Sequence, residues 1–218
     1  MTYHMEANSI SLDQLRERIE ATDLVPSRAA LTDGIGEKMN ALQEQGITTL
    51  ACLRDELKNA RRLTAVSEKT GIDSQYLILL RREIQGYFPK PVALREFDWL
   101  PKDEIVKLEQ RGIGDTAVLY EMTVSPQKRA ELVKSTGVDS AALEALARLA
   151  NLMRVQWVSP TFARMLIAAG YESADQVAAA DADDLCKALA RVNAGSRFFK
   201  GKIGLRDTKR LIQAARYV

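Results

Sequence analysis

The sequence predicts an all-α protein, and three observations favour this fold class. Alternating runs of β-branched residues, which are typical of strands, are almost absent. Short stretches with helical spacing of apolar residues recur along the chain, separated by Gly, Pro, Asp and Ser. Part of the sequence is also repeated, which is typical of helical units that bury their apolar faces against one another.

The first predicted helix lies in the stretch SLDQLRERIEA and begins after Ser11. Ser11 is a suitable N-cap, and Gln14 three residues later completes a capping box. Pro26 suits the first turn of a second helix. We therefore expect residues 1–30 to form an N-terminal helical arm.

The internal repeat relates residues 46–82 to residues 112–148, which align without gaps at an offset of 66 with 11 identities in 37 positions. A partial third copy follows. In each copy a helix is predicted to end at a glycine in the left-handed conformation, an apolar or aromatic residue fills the corner, and a polar N-cap starts the next helix. The glycines are Gly46, Gly112 and Gly170, the corner residues Ile47, Ile113 and Tyr171, and the predicted N-caps Thr48 and Ser173, with Asp73 and Asp139 capping later helices.

Residues 85–97 interrupt the helical pattern with Pro89 and Pro91, and they are the best candidate for an inter-domain linker. We expect a first unit over residues 31–88. A second and third copy, ending in a basic C-terminal helix, are expected over residues 97–218.

The cysteine and histidine content excludes much chemistry. Cys52 and Cys186 form no CxxC pair, and His4, the one histidine, falls in a stretch that we expect to be frayed. A zinc site needs about four nitrogen or sulfur ligands, so none is predicted. A nucleophile system would have to use His4. Both cysteines are predicted to be buried, and we predict no catalytic residues, no metal and no cofactor.

The sequence shows no sign of membrane insertion or export. It has no run of 18 or more apolar residues, so no membrane span is predicted. The first residues lack the basic start and apolar stretch of a signal peptide. We expect a cytoplasmic protein, whose oligomeric state the sequence does not indicate.

Charge is distributed unevenly along the chain. Residues 187–218 contain nine basic residues and one acid, a formal charge of +8, whereas the whole chain carries +2, which leaves −6 for residues 1–186. This asymmetry indicates that a polyanion would meet the C-terminal end. The alternative is a solvated basic face.

The repeated corners resemble tandem helix-hairpin-helix domains, a SAM-like helical fold. The first copy, LTDGIGEKMNALQEQGITTLACL, follows the family's pattern of an apolar-Gly-apolar-Gly hairpin, a helix, Gly-Ile and a second helix. The third copy is similar to the domain of unknown function 4332 in the stretches ARMLIAAGYESADQVAAAD and LCKALARVN. The likeness covers roughly residues 31–193 and implies tandem helix-hairpin-helix units.

Many helix-hairpin-helix modules bind DNA without sequence preference, because hairpin amides and a helix N-terminus contact phosphates. The resemblance implies such contacts at Gly34, Gly36 and Lys38. Asp33 and Glu37 place negative charge beside this hairpin. The alternative role of the two glycines is a tight corner between helices.

The other two hairpins depart from the family pattern. Leu100, Pro101 and Lys102 occupy the second hairpin, and proline removes a donor. In the third, Trp157 and Ser159 replace the glycines, and the tryptophan is expected to block close approach.

Further candidate contacts lie in the C-terminal half. Arg164 is predicted either to reach a phosphate or to form a surface salt bridge. Trp99 and Trp157 are expected to pack on neighbouring units, the alternative being a platform for base stacking, which no cluster of aromatic residues in the sequence supports. The basic residues of the C-terminal segment are the best electrostatic candidates: Lys200, Lys202, Arg206, Lys209 and Arg210.

The sequence therefore predicts a binding module without catalytic activity that holds the DNA or RNA backbone through phosphates. The hairpin pattern and the basic segment favour this hypothesis. The alternative is a protein-protein interaction or scaffold module that does not bind nucleic acid, which the altered hairpins and the low net charge favour.

Overall fold

The computed structural model describes residues 2–218, and over these residues the chain is all-helical. Its α-helices are α1 (Leu12–Ala21), α2 (Ile35–Glu44), α3 (Leu50–Glu56), α4 (Ala60–Thr70), α5 (Ser74–Gly86), α6 (Lys102–Glu109), α7 (Thr116–Thr123), α8 (Pro126–Thr136), α9 (Ser140–Leu152), α10 (Pro160–Ala168), α11 (Ala174–Ala178), α12 (Ala182–Ser196) and α13 (Leu205–Ala215). Two 3-10 helices span Pro26–Thr32 and Leu94–Glu96.

The chain divides into two units. The N-terminal unit is Glu6–Phe88, and the C-terminal unit is Pro89–Val218 together with the first residues of the chain through Met5. The division falls within the proline-containing segment 85–97.

The N-terminal unit begins with the predicted capping box. The Ser11 hydroxyl accepts a hydrogen bond from the Gln14 amide at 3.2 Å, and the Gln14 side chain accepts one from the Ser11 amide at 2.9 Å. Pro26 starts a helix as predicted, but this helix is of the 3-10 type. The unit's core contains the buried leucines Leu12, Leu15, Leu42, Leu53, Leu77 and Leu80.

Three glycine corners recur along the chain, as the repeat predicts. Gly46, Gly112 and Gly170 have φ angles of +79°, +78° and +93°. The residue after each glycine donates its amide to the carbonyl five residues earlier, a bond that closes the end of the preceding helix. These bonds run from Ile47 to Leu42 at 3.1 Å, from Ile113 to Leu108 at 3.1 Å and from Tyr171 to Leu166 at 2.9 Å.

The helices after these corners begin at side-chain caps. Ser173, Asp73 and Asp139 are N-caps as predicted. The prediction of Thr48 is wrong by one residue, because Thr49 has the extended conformation and its hydroxyl accepts from the Cys52 amide at 3.2 Å. The Thr48 carbonyl instead accepts a bond from Leu12.

A feature that the gapless repeat does not reveal precedes each of these helices. The amide of the first helical residue is bonded to an earlier segment of the same unit, and in the first two copies this bond belongs to an isolated β-bridge. The donor and acceptor residues are Leu50 and Ile10 at 2.9 Å, Thr116 and Val92 at 3.0 Å, and Ala174 and the side chain of Asn151 at 2.7 Å. Each pairing satisfies an amide that a helix N-terminus otherwise leaves without a partner.

The expectation of a frayed start is wrong for Tyr3 and His4. Tyr3 is 2 % exposed in the core of the C-terminal unit, and its hydroxyl donates to the Met153 carbonyl at 3.1 Å and accepts from Thr116 at 3.2 Å. Arg154 Nε donates to the Tyr3 carbonyl at 2.9 Å. Burial raises the pKa of the Tyr3 hydroxyl. The His4 ring lies 2.7 Å from the Pro89 carbonyl.

The prediction that both cysteines are buried is also wrong. Cys52 is exposed, because α3 buries Leu50 and Leu53 and turns Cys52, on another face of the helix, to solvent. Cys186 is half-buried, and its thiol lies 3.5 Å from the Ile203 carbonyl.

Candidate nucleic-acid interface

The first hairpin has the backbone that an anion site requires. Gly34 is the N-cap of α2 with φ +58°, and no side chain caps this helix. The first amides of α2 therefore lack both an intrahelical acceptor and a side-chain acceptor. Ile35, between the two glycines, is buried and fixes the turn to the unit. Gly36 lies in the first turn of α2.

The side chains around this hairpin carry both signs of charge. The Lys38 ammonium donates to the Asp33 carbonyl and lies 4.5 Å from the centre of the Tyr76 ring. A Cβ atom on Gly34 would stand 3.2 Å from that ammonium and 3.8 Å from the Glu37 carboxylate. Lys38 is thus held over Gly34, where it would meet an approaching anion together with the Glu37 carboxylate.

The second and third hairpins offer fewer free donors. Pro101 is the N-cap of α6 and has no amide hydrogen to donate. Ser159 caps α10, because its hydroxyl accepts from the Phe162 amide at 3.2 Å. The start of α10 therefore differs from that of α2 by its side-chain cap, whereas α6 also has no side-chain cap but begins at a proline in place of the left-handed Gly34.

Trp157 adopts a conformation that is unusual for its residue type. Its φ is +69°, close to that of Gly34, and it precedes the buried Val158 as Gly34 precedes the buried Ile35. Trp157 replaces the first hairpin glycine of the family pattern, but its residue type argues against this conformation, because side chains with a Cβ atom are strained there. Its side chain is nevertheless 46 % exposed.

The Trp157 ring lines a cleft of about 480 Å³ in the C-terminal unit, which we call the cationic–aromatic cleft. Residues of α10, of α13 and of the connection between α12 and α13 form its walls. Besides Trp157, its aromatic and charged lining consists of Phe162, Phe198, Phe199, Lys202, Arg210 and Asp207.

Two arginines stack on the aromatic rings of this region. The Arg210 guanidinium lies 4.5 Å from the Trp157 ring centre, and Arg210 Nε is buried without a hydrogen-bond partner. The Arg164 guanidinium lies 5.1 Å from both the Trp99 and the Phe198 rings. Within residues 2–218 Arg164 makes no ion pair, so the surface salt bridge expected as its alternative is absent.

Comparison with known families decides the chain's membership. The model of the family described as domain of unknown function (DUF4332) matches residues 100–218, which is more than half of the chain and covers α6–α13. The chain belongs to this family. Comparisons with curated proteins and with solved structures found no match.

The DUF4332 region brings together three of the predicted contact residues. The Arg164 guanidinium lies over the ring of Phe198, which lines the cleft. Lys202 and Arg210 also line the cleft. Lys200, Arg206 and Lys209 are exposed outside its lining. Gly34, Gly36 and Lys38 precede the DUF4332 region and belong to the N-terminal unit.

Sequence reasoning considered Trp157 as a stacking platform but missed Phe198 and Phe199 in this site. Phe198 and Phe199 are the only adjacent pair of phenylalanines in the chain and lie in its most basic segment, which is the one signal that pointed to them. Their approach to Trp157, about 40 residues earlier, depends on how α12 and α13 pack, and this packing is not encoded locally.

Both units pair some of their cations with carboxylates, but several cations of the C-terminal segment are left unpaired. Among the described residues, carboxylates within 4.0 Å pair Arg16, Arg28, Lys58 and Arg62 in the N-terminal unit and Lys107, Arg129, Arg148 and Lys187 in the C-terminal unit. In the DUF4332 region Lys200, Lys202, Lys209 and Arg210 form no ion pair among the described residues. Their charge is therefore open to an external anion.

The described residues show no features of two other classes of site. Residues 2–218 contain no group of three or more His, Cys, Asp and Glu side chains arranged to hold a metal ion. Over the same residues, no helix combines the length and apolar character that spanning a bilayer requires.

Proposed function

We propose that the chain is a binding module without catalytic activity that holds nucleic acid through its phosphates, without sequence preference. The observation that carries this proposal is the unneutralised positive charge of the DUF4332 region. Arg164, Lys202 and Arg210 converge there beside aromatic rings, and none of them forms an ion pair with a carboxylate of residues 2–218. Cations of this kind attract phosphates and release the counterions bound to them.

We further propose that the three matched corners are tandem helix-hairpin-helix units of the SAM-like type. The pairs α2–α3, α6–α7 and α10–α11 each end their first helix at a left-handed glycine and start the second at a side-chain cap. Gly34, Gly36 and Lys38 form a second phosphate contact in this proposal, because the amides of α2 are uncapped. A cytoplasmic location stays a prediction.

Fluorescence anisotropy with labelled oligonucleotides tests the proposal. We expect duplex, single-stranded and branched DNA to be bound at low salt, with the logarithm of affinity falling linearly with the logarithm of salt concentration. Lys202→Gln should reduce the slope by about 0.7–0.9, as the loss of one phosphate contact predicts. Lys58→Gln is the matched control, because it removes a lysine already paired with Asp55 at 2.8 Å. Absence of binding to all three ligands at low salt would overturn the proposal.

The alternative is a protein-interaction or scaffold module. It is favoured by α7, where Val118 and Met122 lie one turn apart and are both exposed. A protein captured from lysate that remains bound after nuclease treatment, in combination with no nucleic-acid affinity, would support this alternative.

A further inference from the structure

We propose that the cationic–aromatic cleft holds one unpaired nucleobase together with its phosphate, so that the chain prefers single-stranded to duplex nucleic acid. This inference rests on the proposed function and adds to it a stacking site and a preferred form of the ligand.

The aromatic side chains of the cleft are arranged to receive a flat guest. Trp157 is 46 % and Phe199 is 53 % exposed, and both line the cleft without making a ring contact with each other. Both rings are therefore accessible from solvent on the walls of one cleft, where a planar group can reach them. A base stacked on a protein aromatic ring strengthens binding about 5-fold or more.

The backbone of Trp157 supports a role beyond packing. At φ +69° a glycine would form the same corner without strain, as Gly34 does in the first hairpin. A strained residue persists only where its surroundings hold it, and such residues are concentrated at sites of ligand binding. Here the strain places a large ring at the mouth of a cleft rather than in the core.

Arg210 supplies the group that recognises a phosphate. Its guanidinium stacks on the Trp157 ring at 4.5 Å, makes no ion pair, and keeps a buried Nε without an acceptor. A buried donor without a partner is unfavourable, and the positive charge of this guanidinium in the cleft lining would be stabilised by a charge-assisted bond to a phosphate oxygen. Lys202, also unpaired, adds a second positive charge to the lining.

The one carboxylate in the lining is already engaged. Asp207 accepts a hydrogen bond from the Gly204 amide at 2.9 Å as part of the cap of α13. The two cations of the cleft therefore exceed its negative charge by one. This combination of open rings and excess positive charge matches a nucleotide.

The preference for single strands follows from access to the base. In a duplex the faces of each base are covered by the neighbouring bases, whereas an unpaired base can stack on a side chain. Gly201 contributes to this geometry, because a Cβ atom there would stand 2.8 Å from the Phe199 ring. Replacing Gly201 by alanine would therefore displace the ring and weaken the stacking site without removing a charge.

Tryptophan fluorescence provides a direct test. The chain has two tryptophans, so Trp99→Phe leaves Trp157 as the single reporter. We expect a single-stranded oligothymidylate to quench its fluorescence, and an abasic oligomer of equal length and charge to leave it unchanged. By anisotropy, the oligothymidylate should bind about 5-fold or more tightly than the abasic oligomer and more tightly than a duplex of equal length. Gly201→Ala should reduce the preference for bases.

Trp157→Gly provides the matched loss of function, because glycine accepts the φ of +69° and the variant is expected to fold. In this variant the two oligomers should bind equally. Equal binding by the chain with its native Trp157 would overturn the stacking proposal and leave phosphate binding standing, whereas no binding of either oligomer at low salt would overturn both. Thymidine monophosphate binding as tightly as the oligomer would also refute the inference, because the ligand would then be a free nucleotide.

Discussion

The strained backbone at Trp157 leads to a prediction about stability whose sign is the reverse of the usual one. Replacing Trp157 by alanine and by glycine removes the same indole ring and the same stacking with Arg210. The two variants therefore differ in the backbone alone. At ordinary positions alanine is the more stable of the two, whereas at φ +69° we expect glycine to be more stable.

The magnitude follows from two opposing terms. A residue with a Cβ atom in the left-handed conformation costs about 1–2 kcal/mol. Glycine avoids this cost but loses about 0.5–1 kcal/mol through the greater freedom of its unfolded chain. At the midpoints of these two ranges, the difference favours Trp157→Gly over Trp157→Ala by about 0.75 kcal/mol in the free energy of unfolding.

Urea unfolding monitored by fluorescence measures this difference. In both variants Trp99 is the remaining tryptophan, and it reports on the C-terminal unit because its ring packs edge-on against Phe97 at 5.4 Å. With a denaturant slope of about 2 kcal/mol per M, the glycine variant should unfold at a urea concentration about 0.4 M higher. If the alanine variant were equally stable or more stable, the strain argument would be refuted.

Three further predictions concern the glycines and tyrosines. Gly112→Ala should destabilise the C-terminal unit by about 1 kcal/mol because of its φ of +78°. Gly36→Ala should be neutral or stabilising, because Gly36 lies inside α2 and an added Cβ atom would stand 3.8 Å from the nearest atom, Arg16 Nη1. Urea unfolding measures both changes. Tyr3→Phe should cost about 1–3 kcal/mol, since it removes the buried partner of Thr116, and an unchanged thermal midpoint would contradict this. Burial raises the pKa of Tyr76 to about 12, above the value of about 10 in the unfolded chain. The folded state therefore keeps the hydroxyl proton to a higher pH than the unfolded state does. This contribution to stability is complete below pH 10 and is lost as the pH rises towards 12. Circular dichroism during urea unfolding at increasing pH should show this fall, and in Tyr76→Phe the fall should be smaller, because Tyr3, whose pKa burial also raises, remains.

Local signals in the sequence predicted much of the helical framework. A glycine after an apolar helix allows the left-handed conformation, so the corners at Gly46, Gly112 and Gly170 could be predicted from residue type and spacing. The capping box at Ser11 was equally local. The one-residue error at Thr48 arose because two adjacent threonines offer the same cap, and the bridge to α1 decides between them.

Features that depend on distant contacts were not predicted. The bridges that involve Ser11 and Ala93 lie at different distances from their copies of the repeat, so a gapless alignment does not connect them. The cleft forms because α13 packs with Arg210 beside Trp157, and the hydrophobic periodicity of the sequence does not indicate this packing. The left-handed tryptophan contradicts local preference, which is expected where surrounding structure or function dominates.

The burial of Tyr3 has a consequence for the order in which the protein folds. Its contact with Met153 joins residues 150 positions apart, and closing a loop of that length costs about 4 kcal/mol in chain entropy. Glu6–Phe88 leaves the ribosome before Pro89–Val218 and can fold while that part is still being made. Once folded, it shortens the flexible part of the loop, and Tyr3 can be seated in the C-terminal core only after α9 and Met153 have been synthesised.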